Sequence, residues 1–69
     1  MAYIAEYRFR KYEDRTRAMD RMYYDCGGSS AYCETRGEYE YEYGLYITNE
    51  CTNVSRAAQI CEANGGKRF

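Results

Sequence analysis

The run "GEYEYEYGLYIT", Gly37 to Thr48, is the most constraining feature of this chain, because apolar and polar residues alternate along it one by one. Successive side chains of a strand point to opposite faces, so Tyr39, Tyr41, Tyr43, Leu45 and Ile47 share one face and Glu38, Glu40, Glu42, Gly44 and Tyr46 the other. A period of two is incompatible with an amphipathic helix. It commits the middle of the chain, Glu38 to Thr48, to a strand with one buried face.

What buries that face follows from the flanks. Tyr3, Ala5, Tyr7 and Phe9 alternate with Ile4, Glu6, Arg8 and Arg10, which predicts a first strand over residues 2–11. "EDRTRAMDRMYYDCGG" sets Ala18, Met19, Met22, Tyr23 and Cys26 on one helical stripe, with Asp14 favouring the N-terminal end and Gly27-Gly28 supplying the stop. Ser30 to Arg36 reads as a short strand, and Gly37 permits the reversal into the long one. "TNVSRAAQICEANGG" gives a second helix with Val54, Ala57, Ala58 and Cys61 on its stripe, Thr52 or Asn53 as cap and Asn64-Gly65 as stop, and "GKRF" reads as a tail.

The expected fold is thus α+β, in the order β-α-β-β-α: a three-stranded antiparallel sheet of order 1-3-2 with two helices on one face. All 69 residues form one domain, since a chain this short supports a single core. That core has little aliphatic material. With one Leu, one Val and three Ile against ten Tyr, tyrosine must supply much of the volume, and it suits both a thin sheet and an interface.

Charge is unevenly placed although the net value is −1. Residues 1–21 carry six basic groups against four acidic, whereas residues 34–50 carry five Glu against Arg36 alone. A basic nucleic-acid footprint would show the reverse in the middle of the chain. Glu38, Glu40 and Glu42 would stand about 6.7 Å apart on a strand, roughly two base steps of a nucleic-acid strand, so a phosphate-binding site would accept them. The simpler reading makes them the solvated face of a one-sided sheet, with Arg8 and Arg10 of the first strand available as partners.

The cysteines, Cys26, Cys33, Cys51 and Cys61, have no close C-x2-C pair and the chain has no histidine, so they read as buried small hydrophobes rather than zinc ligands, and no cofactor is expected. General acid–base and nucleophilic catalysis lack their usual groups here: there is no His, and the thiols have no basic partner. An enzyme is not expected. Neither a signal peptide nor a membrane span stands out, which leads to the expectation of a cytosolic protein.

In its small size, acidic middle segment, richness in tyrosine and β-α-β-β-α order, the chain resembles the small inhibitor proteins encoded by phages, in particular anti-CRISPR proteins acting on type I surveillance complexes. The resemblance implies a non-enzymatic inhibitor that binds a nucleic-acid-binding CRISPR surveillance complex. Carboxylates would be presented to the Lys and Arg groups that hold target DNA. On that expectation Glu34, Glu38, Glu40, Glu42, Tyr46 and Glu50 form the partner-binding patch, with no direct contact to nucleic acid or membrane. The alternative is a small RNA-binding or regulatory domain using Arg8, Arg10, Arg15 and Arg17 of the first strand and helix. A third possibility is a homodimer pairing through the exposed edge of the first or second strand.

Overall fold

The computed structural model describes residues 3–35 and 40–69. The first strand, β1 (Tyr3–Phe9), leads into α1 (Tyr12–Cys26), followed by β2 (Ala31–Thr35), β3 (Tyr43–Thr48), α2 (Val54–Ala63) and a short β4 (Lys67–Arg68). The sheet order is β2-β3-β1-β4, with every neighbouring pair antiparallel. This is the split β-α-β arrangement, in which two crossover helices cover one face and leave the other bare. The 1-3-2 core of the expected sheet is present. The correction is a fourth strand, since "GKRF" is no tail: Lys67 and Arg68 pair with Arg8 and Tyr7, and the Phe69 N–H donates to the Glu6 carbonyl at 2.9 Å.

On the helix side, Ala5, Tyr7 and Phe9 of β1 meet Leu45 and Ile47 of β3 beneath Ala18, Met22 and Cys26 of α1 and Ala57, Ile60 and Cys61 of α2. These are the odd positions of both strands, as the alternation requires. Two helix stripes are narrower than expected. Met19, Tyr23 and Val54 are exposed, while α1 buries Arg15 one turn ahead of Ala18. The guanidinium of Arg15 ends the sheet on this side, donating to the carbonyls of Glu34 (3.1 Å) and Gly44 (3.4 Å) and to Thr35 Oγ1 (3.1 Å). Its charge is spread over carbonyls of the β2–β3 ladder and the hydroxyl at the end of β2.

The helix ends follow the local chemistry. Asn53 caps α2 by accepting from the Arg56 N–H at 3.0 Å. Both exits turn on glycine at positive φ, +105° at Gly27 and +87° at Gly65, where a side chain would be strained. Asp25 joins the two helices by pairing with Arg21 and Arg56, each at 3.0 Å. The Arg56 hydrogen bond, with Arg21 adding to it, holds its carboxyl below the usual range. No described helix is long and apolar enough to cross a membrane.

All four cysteines are free. Burial pushes the Cys26 thiol up to about 11 and the Cys61 thiol to about 12, and each side chain packs in the core as a small apolar group. Among the described residues no three His, Cys, Asp or Glu gather into a metal-binding group.

Candidate functional site: the helix-free face of the sheet

The bare face is laid out by register. One transverse row holds Tyr32 of β2, Tyr46 of β3, Glu6 of β1 and Phe69 beyond β4; the next holds Glu34, Gly44, Arg8 and Lys67. The first row is aromatic apart from Glu6, and the second is charged apart from Gly44.

Tyr46 is the centre of the aromatic row. Although it lies away from the helices it is only 5% exposed, because Tyr3 and Tyr32 close over it with ring centroids 4.7 and 5.6 Å away. A local feature brings this about. Register shifts between Tyr3 and Ala5, and this irregularity turns Tyr3 out of the odd-numbered helix side, where the alternation places it, onto the bare face. Two residues before Tyr46 stands Gly44, where a Cβ would make ordinary contact with the Tyr46 ring at 3.7 Å but crowd the Glu34 carbonyl at 3.1 Å. The covering rings stay open to solvent, Tyr3 at 56% and Tyr32 at 44%.

The β4 end of the face is built differently. Phe69, 59% exposed, meets Tyr41 edge to face at 6.0 Å, and three cations lie against these rings. Arg8 stands 5.4 Å from the Phe69 centroid, Arg10 4.9 Å from Tyr41, and Lys67 5.5 Å from Tyr41. Arg8 is nearly buried, with Nε donating to Glu6 Oε2 at 2.7 Å and a terminal nitrogen to the Tyr41 carbonyl at 3.2 Å. Tyr41 is therefore a partner of the C-terminal strand and not a helix-side core residue as the alternation has it.

The expected acidic patch is only partly assembled. Glu34 and Tyr46 do share the bare face. Strand β3 starts at Tyr43 rather than Glu38, so Glu40 and Glu42 precede the sheet ladder and are not spaced along it. Glu38, like Tyr39, lies outside the described residues. Glu40 is ion-paired with Arg10. Glu42 is hydrogen-bonded to the Tyr43 hydroxyl, whose pKa it pushes up. Glu50 sits in the turn beyond the far end of β3, a six-residue strand about 20 Å long at roughly 3.3 Å per residue. The four basic residues of the alternative also divide: Arg8 and Arg10 belong to the bare face, Arg15 is structural, and Arg17 pairs with Asp14 on the exposed side of α1. Phe69, Lys67 and Tyr3 were missing from both candidate sets. A two-residue strand and a register shift leave no periodic trace in a sequence.

No family model, no curated protein and no solved structure matches this chain.

Proposed function

We propose that the chain is a non-enzymatic protein-binding module, an inhibitor or adaptor, that docks through the helix-free face of its sheet. The observation carrying this is the set of solvent-open rings on one face: Tyr3 and Tyr32 over the buried Tyr46, and Phe69 against Tyr41 at the β4 end with Arg10 and Lys67 beside them. Tyr, Phe and Arg dominate the energetic centres of protein interfaces, where flat rigid rings bury large area at small entropic cost. Acidic and basic groups on this face already pair with each other, Glu6 with Arg8 and Glu40 with Arg10. A balanced charge pattern of this kind complements a mixed protein surface better than a phosphate backbone.

The partner class comes from the sequence resemblance: a type I CRISPR surveillance complex, whose DNA-binding surface the module would occupy. On this reading Glu34 of the bare face, with Glu42 before and Glu50 after β3, meets basic groups of the partner. The test is a competition titration in which purified surveillance complex is offered labelled target DNA with increasing amounts of this protein. Displacement of DNA, with no binding of this protein to short single-stranded RNA or DNA, is the expected result. Tight binding to the single strands without any effect on the complex would transfer the face to the RNA-binding reading, for which the cation-and-ring cluster of Arg10, Lys67, Tyr41 and Phe69 is the favouring feature.

A further inference from the structure

In the order β2-β3-β1-β4, β2 is one margin of the sheet, and its outer side pairs with no described strand. Which of its backbone groups face outward is fixed by one hydrogen bond. The Thr48 N–H donates to the Ser30 carbonyl at 2.8 Å, which makes Ser30 and Thr48 a hydrogen-bonded pair. Antiparallel ladders alternate, so Tyr32 and Glu34 also turn their N–H and C=O toward β3, and Ala31, Cys33 and Thr35 turn theirs away from it.

Exposed edges are ordinarily blunted by lysine, proline or an inward charge. Sequence "AYCET" has none of these; its single charge, Glu34, lies on the bare face. Apolar groups instead flank the edge on both sides of the sheet. On the helix side Met19 of α1, 38% exposed, touches Cys33 through its sulfur, and on the other side Tyr32 is open to solvent.

We propose that β2 is a self-association edge, pairing antiparallel with β2 of a second copy of this chain about a two-fold axis through Cys33. In that register Cys33 faces Cys33, Ala31 faces Thr35, and every outward N–H meets an outward carbonyl. Tyr32 of one copy stands opposite Glu34 of the other, so no two carboxylates confront each other across the axis. The interface is isologous and closes on itself. It also joins the two bare faces into one platform, with the aromatic row of each copy running into the other. This pairing stands on the edge geometry alone and is independent of what the bare face binds.

One five-residue strand and its flanks offer less than the roughly 800 Å² per partner of a standard stable complex, which puts the proposed dimer in the weak class, with a dissociation constant expected on the order of 10 to 100 µM. Sedimentation equilibrium from about 5 to about 500 µM, a range that brackets this constant, should show the mass rising from the 8.2 kDa monomer toward twice that value. Ala31→Pro removes one outward N–H and leaves the β3 ladder intact. Tyr32→Glu puts a carboxylate opposite Glu34 of the second copy. Each should weaken association at least tenfold, with Tyr32→Glu keeping the fold even if Ala31→Pro does not. Gln59→Glu, on the exposed side of α2, should leave association unchanged. A monomer throughout the range, or a dimer that both edge variants leave intact, would overturn the proposal.

Discussion

The two faces of this sheet use the same residue type to opposite ends. On the helix side Tyr7 is held within the core, with its hydroxyl donating to Glu62 at 3.3 Å and Arg68 over its ring, and burial raises its pKa. On the bare face Tyr46 is nearly as dry, but what covers it is other tyrosine rings that remain wet on their outer sides. Helices provide the first cover and cannot be removed without unfolding. Tyr3 and Tyr32 provide the second, and on the proposed function a partner extends it. Burial alone therefore does not tell a tyrosine under helices from one under other tyrosines; the identity of the covering groups does.

Phe9→Ala should have the largest effect. Phe9 is fully buried between sheet and helices, and its ring lies so close to Gly66 that a Cβ there would clash at 2.8 Å. Its truncation should cost about 3 to 5 kcal/mol, near the whole stability of a small domain, and a urea titration should find little folded protein. Arg15→Met comes next. It retains the aliphatic stem but leaves the carbonyls of Glu34 and Gly44 with one donor fewer, for a loss of about 1 to 3 kcal/mol in the same titration. On the bare face, Tyr32→Ala should cost no more than about 1 kcal/mol, because its ring is partly wet and the helix-side core is untouched.

Asp25→Asn should have the smallest effect and one confined to acid. Since the folded carboxyl titrates below its ordinary 3.8, the stability it contributes is present above that value and is lost as pH falls through the lower folded one. Wild type and variant should therefore converge as the pH drops below about 4 and differ slightly at neutral pH, which thermal melts across that range will show.

How far the sequence carried the fold can be judged residue by residue. Tyr7, Phe9, Leu45 and Ile47 reached the core because period-two alternation survives wherever the register is regular. Tyr3 and Tyr41 departed from it for reasons the alternation does not encode: a local register shift for one, and for the other a strand that begins only at Tyr43. Strand β4 is held by pairing with β1 about sixty residues earlier in the chain, a non-local pairing with no pattern of its own. The acidic run was legible as composition, yet as a spaced stripe it depended on the strand reaching Glu38. Tyr46 was placed among the candidate site residues for its face and turned out to be the centre of an aromatic cluster.

Stability resides on the helix side and, on the proposed function, recognition on the bare side. A double variant, Tyr32→Ala with Phe69→Ala, separates the two when its melting temperature and its affinity for the surveillance complex are measured together. The melt should stay within a few degrees of wild type while the affinity falls at least tenfold, about 1.4 kcal/mol or more of binding free energy. An unchanged affinity in a folded double variant would instead return the binding role to the glutamates of residues 34–50.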